Sequence, residues 1–194
     1  GGFVPVGAVA MTQQIMDSVF NRMDRAVVHG STFSKNNMAM AAGLASLEVI
    51  KNENLVERSA AIGTEIINRI NALVGQYEFL KGARGKGSMI AVEFKSPDSL
   101  KLKAAWMMLE AANKGLFCQM ITIPLFKEHR ILTQVAGHGM NVVKLLPPLI
   151  LPQRDVDHVI DAITQTIDDT HQVPGSIWEL GKNLASHALK AKAG

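Results

Sequence analysis

The chain has 194 residues, 47 % of them apolar, and a net charge of only +3. That is enough for one large or two small domains with a real core. It excludes a nucleic-acid reader built on a basic stripe and stacking aromatics, because Lys and Arg are scattered and aromatics are 5 % of residues, and no apolar run approaches the roughly 18–20 residues of a membrane-crossing helix.

Gly1–Ala10 is glycine-rich, then β-branched and apolar, which predicts a turn feeding a buried strand around Val6–Met11. Thr12–Phe20 reads as a short helix with Ile15, Val19 and Phe20 on one side. Next comes His29-Gly30-Ser31-Thr32-Phe33-Ser34-Lys35-Asn36-Asn37, two adjacent hydroxyls after a glycine and before a small-residue helix. Glycine permits backbone conformations that turn successive N–H groups inward. Ser31 and Thr32 add side-chain donors, and a nearby helix N-terminus adds partial positive charge. These are the parts of a phosphate cradle; they are also the parts of an ordinary capped loop. Asn37 is the expected cap of the following helix, which runs to about Lys51. Its Ala39, Ala41, Ala42, Gly43 and Ala45 are small enough for a sheet or a partner subunit to come close.

Asn54-Leu55-Val56-Glu57 has the pattern of a capping box, with Asn54 as cap and Glu57 reaching back. Leu55, Ile62, Ile66, Ile70 and Leu73 then follow helical spacing, and Gly75 ends the element. Arg84-Gly85-Lys86-Gly87-Ser88 lacks the spacing of a nucleotide-binding loop and precedes a strand, so it reads as a structural turn with Arg84 in ion pairs. Ile90, Val92 and Phe94 alternate with Met89, Ala91 and Glu93 as in a half-buried strand. A helix over Leu100–Lys114 stops at Gly115. Leu116–Ile123 and Arg130–Val135 read as strands, Gly137-His138-Gly139 as a turn, and Asn141–Leu146 as a strand ended by Pro147-Pro148. Val156, Val159, Ile160, Ile163 and Ile167 mark another helix. Ser176-Ile177-Trp178-Glu179 suggests a second capping box before a last helix whose apolar face is Ile177, Leu184 and Ala188. This alternation implies an α/β or α+β unit after about Asn54.

Cys118, the single cysteine, cannot form an intrachain disulfide, so a reducing compartment, the cytoplasm, is the expectation. His129 and His138 match no zinc spacing, and no metal site is expected. Asp155, Asp157 and Asp161 at a helix start read as solvated acids that compensate the dipole.

Four segments, in order, resemble the class III (ornithine/acetylornithine-type) aminotransferases, which use pyridoxal 5′-phosphate (PLP). Gly1-Gly2-Phe3-Val4-Pro5-Val6-Gly7-Ala8 is similar to the stretch just after the family's Schiff-base lysine. HGSTFSKNN at 29–37 resembles its phosphate loop, Arg84–Ile90 its RGKG turn and strand, and Lys144-Leu145-Leu146-Pro147-Pro148-Leu149 its Arg-x-x-Pro-Pro-Leu segment. The resemblance implies an α/β chain of the PLP-dependent transferase fold type I. Residues 1–54 would be the end of the large PLP-binding domain and dimer interface. Residues 55–194 would be the smaller C-terminal α+β domain with an extra C-terminal helix.

The resemblance also implies the site. Thr32, with Ser31 sharing the role, would bind the PLP phosphate of the neighbouring subunit, which makes a homodimer the expected assembly. The Schiff-base lysine would lie just before Gly1, so this chain holds no catalytic residue and is expected to be inactive by itself. Lys144 stands where many members carry an arginine that grips the substrate carboxylate. Lysine is a flexible point charge where arginine is a planar fork. That allows an amine or aldehyde substrate with a distant or absent carboxylate, and equally a plain strand lysine. The implied reaction moves an amino group from an amine or amino acid to a keto acid or aldehyde, both small molecules. Class III racemases, decarboxylases and aminomutases are the alternatives, as is a truncated, non-catalytic chain that dimerises.

Overall fold

Two units make up the chain, Gly1–Leu55 and Val56–Gly194. The computed structural model describes residues 2 and 4–193; Gly1, Phe3 and Gly194, and the side chains of Lys192 and Ala193, lie outside that description, and with them the first residues of the expected N-terminal turn.

In unit 1, helix α1 spans Gln13–Val19 and starts where Thr12 is extended at φ −71° and accepts the Ile15 N–H. A single 3₁₀ turn follows at Met23–Arg25, and α2 spans Asn37–Asn52. The cap of α2 is Asn36, one residue earlier than expected: the Ala39 N–H donates to Asn36 Oδ1 at 3.1 Å. The strand expected at Val6–Met11 is absent. A strand needs a neighbour for its backbone groups, and no ladder partner for this segment exists among the described residues. Val6 instead passes beside α2, where a Cβ on Gly43 would stand 3.6 Å from it.

Unit 2 is built on periodicities that the sequence states clearly. Helix α3 (Leu55–Asn71) buries Ile62, Ile66 and Ile70 as its spacing requires, and Gly75 follows at φ +91°. Strands β1 (Leu80–Lys86) and β2 (Met89–Phe94) form a hairpin, and β2 alternates as predicted, with Ile90, Val92 and Phe94 buried. Strands β3 (Gln134–Val135) and β4 (Val142–Leu145) complete an antiparallel sheet of order β1-β2-β4-β3. Helices α4 (Leu100–Ala112), α5 (Leu116–Lys127), α6 (Gln153–His171) and α7 (Ser176–Ala193) supply the rest of the core.

The centre of that core is aromatic. Phe79 is fully buried, with its ring 4.7 Å from Phe117 and 5.9 Å from both Trp106 and Trp178. Trp178 also satisfies its indole N–H by donating to Thr170 O at 2.9 Å, which pins α7 to the end of α6.

Four local expectations fail in whole or in part. Of the strand expected at Arg130–Val135 only Gln134–Val135 pairs, because only these residues meet β4. Leu116–Ile123 is helical, not extended. A run of continuous apolar and β-branched residues looks the same whether it is a central strand or a helix covered on most sides. Here Leu116, Phe117, Cys118, Met120, Ile121 and Leu125 are all buried within α5. The box at Asn54 does not close: Asn54 takes φ +50°, outside the extended region a capping residue uses, and no Asn54–Glu57 bond forms among the described residues. At α7 the register shifts by one, because the Trp178 and Glu179 N–H groups both bond Gly175 O. Glu179 turns to Lys182 instead, at 3.0 Å.

Candidate functional site

The loop before α2 folds on its own hydroxyls. The Ser34 N–H donates to Ser31 O at 3.0 Å, and the Ser31 N–H donates to Ser34 Oγ at 2.8 Å. The Ser31 and Ser34 hydroxyls lie 3.3 Å apart. Thr32 and Phe33 therefore occupy the crest of a turn, and both are exposed. Ser31 is largely committed to Ser34, whereas the Thr32 hydroxyl has no hydrogen-bond partner among the described residues.

Two features depart from the glycine argument. Gly30 does not use a left-handed φ; Lys35, at φ +60°, does. A Cβ at Gly30 would meet nothing within 4 Å, so neither the packing nor the turn of this chain demands a glycine there. A loop that leaves one hydroxyl unspent, with bare backbone two residues before it, has the donors and the room that a phosphate oxygen needs.

Lys144 sits on β4, opposite Ala91 of β2 and Gln134 of β3. Val143 and Leu145, its neighbours, are buried, so strand alternation puts Lys144 on the other face of the sheet, the face of Ala91. It is half-buried and has no carboxylate partner among the described residues. The Thr133 hydroxyl donates to the Lys144 carbonyl, which ties β3 to β4.

The RGKG segment is structural. Arg84 pairs with Glu93 at 2.9 Å and Lys81 joins at 3.3 Å. The Arg84 hydrogen bond holds the Glu93 carboxyl below the usual carboxylate range, against the opposing cost of its partial burial, with Lys81 helping. Gly63 of α3 meets the hairpin turn so closely that a Cβ on it would stand 2.0 Å from Gly87 O. Ser59 completes the junction by accepting the Ser88 N–H at 2.9 Å. These glycines let α3 and the hairpin touch backbone to backbone.

Among the described residues no three His, Cys, Asp or Glu side chains converge as a metal site would require. His158 Nε2 lies 2.8 Å from His129 O, and Asp157, half-exposed, is bonded to Arg69. Burial pushes the Cys118 thiol up to about 12, with Glu110 adding to the shift, so this sulfur is an inert core atom.

One feature was not visible in the sequence. A cleft of about 740 Å³ opens in unit 2 between residues 129–134, the end of β4 with Pro147 and Pro148, and α6. Arg130 stands on it at the end of α5. Two residues past the C-cap Glu128, Arg130 takes the left-handed conformation at φ +61°, and the Ile131 N–H reaches back to Leu125 O at 2.8 Å. Glycine normally fills that position, since a side chain there costs about 1–2 kcal/mol. Sequence reading finds such endings by their glycine, and here there is none.

Comparison with known proteins agrees with the sequence resemblance. Residues 1–167 match the family model described as aminotransferase class-III. The mitochondrial ornithine aminotransferase of Arabidopsis thaliana is 35 % identical over 87 % of this chain and 31 % of its own length. The ornithine aminotransferase of an Exiguobacterium species is 32 % identical over 84 % of this chain and 33 % of its own. Among solved structures, an amine transaminase from an uncultivated Pseudomonas species, in a PLP-bound form, superposes with a TM-score of 0.63 at 24 % identity, covering 86 % of this chain and 36 % of that one; this shows the shared fold. The chain spans about a quarter to a third of the length of the curated relatives it matches. Helix α7 lies beyond the matched residues.

Proposed function

The chain belongs to the class III aminotransferases, a PLP-dependent family, and from that membership we propose that it is the C-terminal part of an aminotransferase whose phosphate-binding hydroxyl is Thr32. The observation that carries this reading is the unspent Thr32 hydroxyl at the crest of an exposed turn.

When bound, PLP supplies the carbonyl that takes up the donor nitrogen and the ring that accommodates the resulting electron pair. What this chain contributes is position. Thr32 donates a hydrogen bond to a phosphate oxygen, and Ser31 supports it from within the Ser31–Ser34 turn. Lys144, a cation without a carboxylate partner among the described residues, is available to a substrate carboxylate as a point charge. A small-molecule amine or amino acid and a keto acid or aldehyde are the substrates of this reading.

Residues 1–54 serve as the end of the large domain and as subunit interface. Met23, Val27 and Phe33 are 93 %, 86 % and 86 % exposed, apolar surface that a homodimer would cover. Residues 55–194 form the small domain, extended by α7. The tethering lysine lies ahead of Gly1, so the chain alone does not transaminate. A cytoplasmic location accompanies the reading, supported by the single buried cysteine.

Hybrid dimers test the arrangement. One subunit carries Thr32→Ala and the other lacks its tethering lysine. If Thr32 serves its neighbour's cofactor, each hybrid contains one intact site, and activity returns on mixing two subunits that are impaired alone. No recovery would place Thr32 on its own subunit's cofactor or on none.

A further inference from the structure

We propose that the cleft beside Arg130 binds a carboxylate carrying a hydrocarbon body, with Arg130 holding the carboxylate and the cleft wall taking the chain. The claim concerns binding and goes beyond the aminotransferase reading, because it holds whatever reaction the complete protein performs.

Size comes first. At about 740 Å³ the cleft lies within the range of small-molecule sites, roughly 300–1,000 Å³. Its wall includes Ile131, Leu146, Leu151 and Val159, from three separate segments of unit 2. Leu132 and Leu146 are 83 % and 60 % exposed, so the chain leaves apolar side chains open at this place.

Charge decides the ligand's polar end. Arg130 and Lys144 border the cleft, and neither has an ion-pair partner among the described residues. Lys144 borders the cleft from the strand, with its side chain assigned by alternation to the opposite sheet face, so the grip is assigned to Arg130. The one acid on the cleft, Asp155, is paired with Arg154 at 3.3 Å. His158 uses Nε2 on the His129 carbonyl at 2.8 Å, which helps fix the 129–134 segment.

The backbone points the same way. Just past α5, Arg130 holds a left-handed φ of +61°, which glycine would adopt without strain. The helix ending therefore gives no reason for an arginine, whereas a planar guanidinium suited to grip a carboxylate at two points does.

Isothermal titration calorimetry with decanoate tests the proposal, since this probe has neither amine nor carbonyl to react. The expected result is saturable one-to-one binding, with acetate and decanol each far weaker. Arg130→Gly removes the guanidinium while suiting the helix ending, so thermal unfolding should show it at least as stable as the parent. It should bind decanoate about ten-fold more weakly, the loss of one charge-assisted hydrogen bond, and bind decanol unchanged. Leu146→Glu, which places a like charge on the wall, should weaken decanoate as well. Absence of saturable binding, equal affinity of Arg130→Gly and parent, or equal losses for decanoate and decanol would each overturn the proposal. None of these results bears on whether the complete protein binds PLP.

Discussion

The two units use apolar residues in opposite ways. In unit 2, Ile66, Ile70, Phe79, Leu109, Phe117 and Ile167 are all fully buried around one core. In unit 1 the described residues include two buried ones, Ala39 and Leu55, while Met23, Val27, Phe33 and Met38 stand in solvent. Unit 2 encloses its own hydrophobic surface. Unit 1 presents hydrophobic surface, the kind the proposed subunit interface would cover. The proposed phosphate turn lies in the second kind of region, where its geometry is set by a few local hydrogen bonds and the rest must be supplied from outside.

The largest test of this contrast is Phe79→Ala. It removes the ring that Phe117, Trp106 and Trp178 pack around, and should cost about 3–5 kcal/mol in urea unfolding of unit 2. Phe33→Ser should do the reverse: stability should change by no more than about 0.5 kcal/mol, while dimer dissociation, followed by analytical ultracentrifugation, should become easier by about 1 kcal/mol. A large stability loss at Phe33 would mean that unit 1 has a core of its own and would remove the contrast.

The smallest effect concerns acid. The Glu93 carboxyl is held below its ordinary value by Arg84 and Lys81. Its stabilising contribution is therefore present above the unfolded value of about 4.3 and is lost as pH falls through the lower folded value. Glu93→Gln should flatten the acid limb of a stability-against-pH curve and leave the neutral region little changed. An acid limb identical to that of the parent would show that the strand-to-strand ion pairs carry no weight.

The same contrast explains what the sequence made legible. In unit 2 the i, i+4, i+8 spacing of Ile62, Ile66 and Ile70 and the alternation of Ile90, Val92 and Phe94 reported real burial, because each element buries one face in one core. Leu116–Ile123 reads as a strand yet folds as helix for the complementary reason: with apolar residues on nearly every side, neither period stands out. Val6–Met11 has the composition of a strand, but composition cannot supply a pairing partner. The Ser31–Thr32 pair was legible as two hydroxyls ahead of a helix, whereas the inner geometry of the turn was not, since the division between a committed Ser31 and an unspent Thr32 depends on where Ser34 falls. Arg130 was invisible because its role depends on a left-handed ending that carries no glycine.

The central claim is that the Thr32 hydroxyl holds a PLP phosphate. The equilibrium dissociation constant for PLP, measured on the complete protein for the parent, Thr32→Ser and Thr32→Ala, tests it most directly. Thr32→Ser should stay near the parent, and Thr32→Ala should weaken PLP by about 1.5–3 kcal/mol, the worth of one hydrogen bond to a charged group, with folding stability unchanged. A PLP affinity for Thr32→Ala equal to that of the parent would contradict it.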